Sequence, residues 1–418
     1  MTSGRMPTLV AAIVLAFILA QLLVESGLLL VNLRHVARAT GVPAPLAGRF
    51  DDDTVARSRA YTLANGRLAL VHDVFGAAVT VAVLYSGVLS ALERGLAHLG
   101  LGGAHRFVAF LAAIAVGLGI LDLPFSIYRT FGLEQRFGFN RTRLRLWIVD
   151  RLTGLAIAAV IGFPLLYATY GFMRFTGRLW WIWLFGFLTA VQVVMTWLYP
   201  ALIAPLFNRF RPLPEGDLRT RLDGLARDAG FRNRGLYVMD ASRRSGHSNA
   251  YFTGFFRPRI VLFDTLVERM TVDEAAAVLA HEIGHFRRHH IHRRLALSLA
   301  ASLASLWVLS RLVPWPPLYA AFGFDGPSLE AALAIVSLAG GALLFWTAPI
   351  SSWFSRRHEY EADRYSVRLA RVPSALESAL VKLNGENLSN LWPHPWYSAW
   401  HYSHPTLLER LAAIERAE

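Results

Sequence analysis

Seven long apolar stretches dominate this chain of 418 residues. They lie at 7–33, 74–92, 107–128, 152–173, 179–207, from Leu295 onward, and 331–354. Each is close to the roughly 20 apolar residues that a helix needs to cross a bilayer. Hydrocarbon offers the backbone no hydrogen bonds, so stretches of this kind fold as helices. Composition agrees: 54% of residues are hydrophobic and only 17% are charged, where a soluble domain carries roughly 25% charged. The first stretch starts near Arg5 in the manner of a secretion signal, but it is too long and no small-residue cleavage site follows closely. The sixth is the least regular, meeting Arg311 and then PWPP.

The charges between the stretches set an expected orientation. The net charge is +13, and Lys382 is the single lysine, so the excess is arginine. Arg34, Arg38, Arg49, Arg57, Arg59 and Arg67 fall in the connection 34–73, and Arg129, Arg136, Arg141, Arg143, Arg145 and Arg151 in 129–151. The alternate side holds few, and 314–330 has no basic residue. Basic residues collect on the cytoplasmic side of a membrane. The expected arrangement is therefore an external N-terminus, a cytoplasmic C-terminus, and a cytoplasmic connection 208–294. The basic excess implies anionic lipid as a partner and no nucleic acid. Cysteine is absent, which excludes disulfides and leaves His, Asp and Glu as the available metal ligands.

The 208–294 connection reads as part of a small α+β unit. Helical spacing runs through 218–231, and 234–240 and 259–266 read as strands, with a third between them. Thr271 and Glu274 form a capping box, so a helix is expected from residue 272. That helix carries HEIGH, and with no proline or further glycine after Gly284 it is expected to run on toward Leu295 and the bilayer.

HEIGH has the form H-E-x-x-H. His281 and His285 are four residues apart, so on a helix both imidazoles leave the same face and can share one ion. Zinc favours four-coordinate sites with nitrogen and oxygen donors, and three protein ligands leave one position for water. Glu282 is placed to take a proton from that water and return it to a leaving amine, which is hydrolysis without a covalent intermediate. A third ligand is required. His289 continues the same face, but RRHHIHRR reads more simply as a basic collar at the membrane surface. The other source is SRRHEYEADRYS at 355–366, where Glu359 and Asp363 share a helix face and Glu361 points elsewhere. One of the two carboxylates would bind the ion while the other orients a histidine.

With both segments in view the chain resembles the type 1 CAAX prenyl proteases, integral-membrane zinc metalloendopeptidases. The resemblance is carried by HEIGH and SRRHEYEADRYS and also by RSRAYTLA (57–64), LEQRFGFNR (133–141), IAPLFNRFRPLPEG (203–216), SGHSNAYFTGFFRPRIVLFDTL (245–266) and WHYSHPTLLERL (400–411). It implies a polytopic α-helical membrane protein with seven transmembrane helices forming a chamber, capped by a cytoplasmic α+β zincin-like catalytic unit. It implies one Zn2+ per chain, Glu359 as the third ligand, Asp363 as a proton-handling or supporting residue, His404 at the oxyanion and Arg410 bracing the acidic cluster. Embedded Glu25 and Asp122 suit a wet interior, although Asp122 also fits the end of a span.

The implied organisation is 1–207 with five membrane helices, 208–294 with the HExxH helix, 295–354 with two further spans, and 355–418 with the third ligand. Zincins hold peptides by strand addition. The strand before the HExxH helix is the expected edge, at HSNAYF (247–252), with Asn249, Ala250 and Tyr251 as substrate contacts. The family's substrates end in a prenylated C-a-a-X sequence. The compact, lysine-poor chain suggests a bacterial cytoplasmic membrane, where the substrates would be membrane or misfolded polypeptides. A different class of function, a carrier or scaffold with a structural zinc site, would close its metal with a fourth protein ligand and would have no need of Glu282.

Overall fold

The computed structural model describes residues 5–230, 235–253 and 259–416. Two long helices, α1 (Arg5–Arg38) and α2 (Asp52–Tyr85), open the chain. Asp51 caps α2 by accepting from the Thr54 amide at 2.6 Å. Gly87 adopts φ 77 and turns the chain into α3 (Val88–His98). Next come α4 (Gly103–Ile127), whose last turns widen but stay helical to Glu134, then α5 (Leu144–Phe175), α6 (Trp180–Leu198) and α7 (Ala204–Phe207). The unit between the spans contains α8 (Asp217–Asp228), α9 (Asp264–Arg269) and α10 (Val272–Arg287). The chain returns through α11 (His290–Leu312), α12 (Pro316–Ala320), α13 (Leu329–Leu344) and α14 (Ala348–Ala370). It ends with α15 (Pro373–Glu386), α16 (Pro395–His401) and α17 (Leu407–Glu415).

Among the described residues, seven helical stretches are long and apolar enough to cross a membrane: Arg5–Arg38, Asp52–Tyr85, Gly103–Glu134, Leu144–Phe175, Gly177–Phe207, His290–Leu312 and Leu329–Ala370. The expected spans are all present as helices whose bounds differ from the apolar windows, most of all at the second and the seventh. The second does not run 74–92: its helix begins at Asp52 and stops at Tyr85, because the arginine-bearing turns continue the same helix and Gly87 ends it. The seventh does not stop at 354; a single tight turn at Phe345–Thr347 joins α13 to α14, so the SRRHEYEADRYS segment is the direct extension of a membrane span.

The spans form a ring. Helices α1 and α2 are neighbours, α2 meets the last turns of α4, and α4, α5, α6, α11, α13 and α1 then follow in contact. A compact protein of this mass exposes roughly 16,000 Å2, whereas this one exposes 22421 Å2. The helices therefore touch their neighbours around the ring but bury little of their surface in a common core. At one end the ring is closed by a cluster built on Phe110, Tyr319 and Ile335, and by the Arg106–Glu330 ion pair at 2.7 Å. Glu25 lies 3.6 Å from His401, and Asp122 lies 2.8 Å from His72.

The other end carries a four-stranded sheet: β1 (Phe210–Pro212), β2 (Leu236–Met239), β3 (Ala250–Thr253) and β4 (Arg259–Phe263), in the order β1-β2-β4-β3. Strand β2 pairs parallel with β4, and the other two pairs are antiparallel. The expected strands at 234–240 and 259–266 are present, the second ending at Phe263 where α9 begins; Phe231, Arg234 and 254–258, which also belong to expected segments, lie outside the described residues. One face of the sheet, through Ile260 and Leu262, packs on α10, whose run Ala275, Ala276, Ala277 and Ala280 is almost completely buried against α8, α14 and α15.

Candidate zinc site

The capping box is formed in both directions at the start of α10, so the frame of the HEIGH helix is set as its sequence requires. The helix ends sooner than expected. It stops at Arg287, His289 adopts φ 58, and α11 restarts at His290. The expectation of one rod from His281 to Leu295 is therefore wrong: a residue in the left-handed region, which few non-glycine residues adopt, separates the two helices.

Helix α14 crosses α10 at very short range. Gly284 permits this, and Ser366 Oγ donates to the Ala277 carbonyl at 2.7 Å to pin the crossing. The crossing brings Glu359 to the two histidines. His281 Nε2 and His285 Nε2 are 3.2 Å apart, His281 Nε2 is 3.4 Å from Glu359 Oε2, and His285 Nε2 is 3.3 Å from Glu359 Oε1. A tetrahedral ion with bonds of about 2.05 Å has donor–donor edges of about 3.3 Å. The histidine–histidine separation and the approach of one Glu359 oxygen to each histidine are all close to that length. Glu359 Oε2 is buried without a hydrogen bond, which is costly unless a cation serves it. The residues thus fit a zinc ion, and His281, His285 and Glu359 are the one such group of donors among the described residues.

Asp363, one turn beyond Glu359, accepts from His281 Nδ1 at 2.8 Å. Arg410 from α17 donates to both of its oxygens, at 2.9 and 2.5 Å. Burial lowers the His281 pKa, but the hydrogen bonds to Asp363 and Glu359 outweigh it and lift the value to about 9, so this corner of the protein favours positive charge. Burial pushes Glu282 above its ordinary value. Its carboxylate has no hydrogen-bond partner among the described residues. His404 Nε2 lies 3.4 Å from Glu359 Oε1 with its side chain 62% exposed, so it stands at the open side of the cluster. His289 is outside the cluster and packs on His292. Glu361 points away, as expected, and meets His290.

The segment HSNAYF (247–252), expected at the edge, supplies β3, which is an edge strand of the sheet; β4, which follows it and leads into α9, is interior. The Phe263 amide donates to the Asn249 carbonyl, so Asn249 uses that carbonyl inside the sheet, and its side-chain oxygen accepts from the Ala250 amide at 2.8 Å. Antiparallel alternation leaves the Ala250 carbonyl on the open side. The Tyr251 ring lies on the sheet face away from α10, near Phe263 and Met239. Sequence reading did not single out His290, which touches His285; the signal was hidden inside RRHHIHRR and depends on the helix break.

Residues 32–209 match the family model for the CAAX prenyl protease N-terminal region, five membrane helices, and residues 212–418 match peptidase family M48. A CAAX prenyl protease 1 homolog of Oryza sativa is 37% identical over 388 residues, covering 90% of this chain and 91% of its own length. The CAAX prenyl protease 1 of Saccharomyces cerevisiae is 35% identical, covering 96% of this chain and 94% of its own. The crystal structure of S. mikatae Ste24p superposes with a TM-score of 0.91 at 33% identity, over 97% of this chain and 99% of that one. With seven spans, a ring and a donor triangle that fits zinc, the chain belongs to the CAAX prenyl protease 1 family of M48 peptidases and is an integral-membrane zinc metalloendopeptidase.

Proposed function

We propose that His281, His285 and Glu359 hold one zinc ion per chain and that Glu282 is the general base of peptide hydrolysis. The observation that carries this reading is the spacing of the donor atoms at 3.2, 3.3 and 3.4 Å. When bound, zinc supplies Lewis-acid polarisation of a carbonyl and a lowered pKa for water. Glu282 takes the proton of the attacking water and passes it to the departing amine, so the C–N bond breaks without acylating the protein. His404 donates from Nε2 to the developing oxyanion. Asp363 holds the proton of His281 on Nδ1 and leaves Nε2 bare, and Arg410 keeps Asp363 ionised. A peptide adds beside β3 through the Ala250 carbonyl; Asn249 fixes the Ala250 amide and Tyr251 anchors the strand on its far face.

The labour divides along the chain: 1–207 and 295–354 form the membrane wall, 208–294 brings the HExxH helix, and 355–418 brings Glu359 and its supports. The arginine asymmetry supports an external N-terminus with the site on the cytoplasmic face, in a bacterial cytoplasmic membrane. The substrates are polypeptides delivered at the bilayer, with prenylated C-termini and misfolded membrane segments as the two classes, and anionic lipid, not nucleic acid, is the partner of the arginines.

Purified wild type beside Glu282→Gln tests this. Both proteins should hold equal zinc, while cleavage falls about 10²–10⁴-fold in the variant. A farnesylated C-a-a-X peptide run next to its unprenylated counterpart reads the substrate class. Full cleavage by Glu282→Gln, or cleavage by a zinc-free wild type, would overturn the assignment.

A further inference from the structure

The two histidines of HEIGH are held by different means. A carboxylate, Asp363, meets Nδ1 of His281 at 2.8 Å. Nδ1 of His285 instead lies 3.0 Å from Nδ1 of His290, and His290 Nε2 lies 3.1 Å from Glu361 Oε2. Only one placement of protons satisfies this chain with His285 Nε2 bare. His285 carries its proton on Nδ1 and donates it to His290 Nδ1. His290 must then be neutral with its proton on Nε2, donated to Glu361. Arg357 at 3.5 Å and Arg293 at 3.8 Å face Glu361 and favour its anionic, accepting form. His290 is 2% exposed, and its ring is stacked on His358 at 4.1 Å, so it has little room to turn.

The helix break explains how His290 arrives there. In an unbroken helix residue 290 would lie roughly 140° around the axis from residue 285, with no contact. The left-handed turn at His289 redirects the chain and sets the first residue of α11 against His285. We infer that His290, fixed by Glu361, is the positioning residue that holds His285 in its metal-binding tautomer, a counterpart to Asp363 built from a histidine–glutamate pair. The inference rests on the reading of His281, His285 and Glu359 as the zinc site. It gives a purpose to the kink: the break lets one segment turn toward the bilayer and also return a side chain to the metal.

The test measures zinc affinity by chelator competition, and the visible spectrum of the cobalt-loaded protein, in wild type, His290→Ala, His290→Asn and Glu361→Gln. Removing such a partner weakens metal binding about 10–100-fold, and that loss is expected for His290→Ala with a changed cobalt spectrum. His290→Asn places an amide oxygen where Nδ1 stood and should recover most of the affinity and the wild-type spectrum. Glu361→Gln should give a smaller loss. Affinity within about twofold of wild type in a folded His290→Ala, or no recovery in His290→Asn, would overturn the inference. If His290→Ala does not fold, Glu361→Ala carries the test, with weakened zinc binding expected and unchanged binding fatal. His281→Ala is run alongside: zinc retained there sinks the zinc-site reading itself, whereas zinc lost there and kept in His290→Ala sinks only the relay.

Discussion

Gly284 lies directly beneath Ala362: a Cβ on Gly284 would stand 3.0 Å from Ala362 Cα and 3.1 Å from Tyr365 Cβ. These are backbone and near-backbone atoms, which do not swing aside. Gly284→Ala must therefore push α10 and α14 apart, and those two helices carry the three proposed ligands. The expected cost is about 1–3 kcal/mol of stability, accompanied by weaker zinc binding. Thermal melts in detergent and chelator competition read the two effects. A destabilised variant with unaltered zinc affinity would show that helix spacing does not govern the site.

Asp363 and Arg410 form a pair with side chains only 2% and 12% exposed. Removing one partner strands the other. Asp363→Ala should lose roughly 3–5 kcal/mol and bind zinc at least about tenfold less tightly. The double variant Asp363→Ala with Arg410→Met should regain stability but not zinc affinity. If both recover together, Asp363 serves the fold and not the ligand.

His404 offers the opposite case. Its side chain is 62% exposed, so His404→Ala should leave melting temperature and zinc content unchanged. Loss of an oxyanion donor lowers kcat about 10²–10³-fold. A fall in zinc content would instead place His404 among the ligands.

Stability at acid pH should follow Glu274, which closes the capping box of α10 and accepts from Ser378 at 2.6 Å and Lys382 at 2.7 Å. Burial raises its pKa, but the hydrogen bonds from Lys382, Ser378 and the Thr271 amide outweigh it, leaving the pKa below the ordinary 4.5. A lowered folded pKa contributes stability that is complete above the ordinary value and fades as pH falls through the folded one. Glu274→Gln should therefore be less stable than wild type at neutral pH by about 1–3 kcal/mol, with the gap closing at acid pH. Urea or thermal melts across pH would show it, and a constant gap would rule it out.

The chemistry was legible where it follows local spacing. His281, His285 and Glu282 declare themselves by position on one helix, and Glu359 and Asp363 by sharing a face one turn apart while Glu361 does not. What the chain hid were relations that no short window contains. The break at His289 uses neither glycine nor proline, so HEIGH and RRHHIHRR read as one rod and His290 as part of a collar. The HSNAYF strand lies at the sheet edge as expected, but the insertion of β4 between β2 and β3 is a pairing order that alternation along a strand does not encode. The second span began earlier than its apolar window because α2 continues the helix through arginines. The hollow ring came from family resemblance alone; hydropathy cannot distinguish a wall from a solid bundle.

The excess surface of that ring changes what a substitution means. In a solid bundle every span has an inside that is dry. Here each wall helix divides two solvents, lipid on its outer stripe and the chamber contents on its inner one, with little protein behind either. Tolerance to charge should then follow the azimuth of a residue about its helix and not its depth. An arginine turned toward lipid at mid-height costs roughly 2.5–3.5 kcal/mol, while the same residue turned inward is solvated by whatever fills the cavity. Hydropathy averaged along such a helix blends two media that its side chains never share.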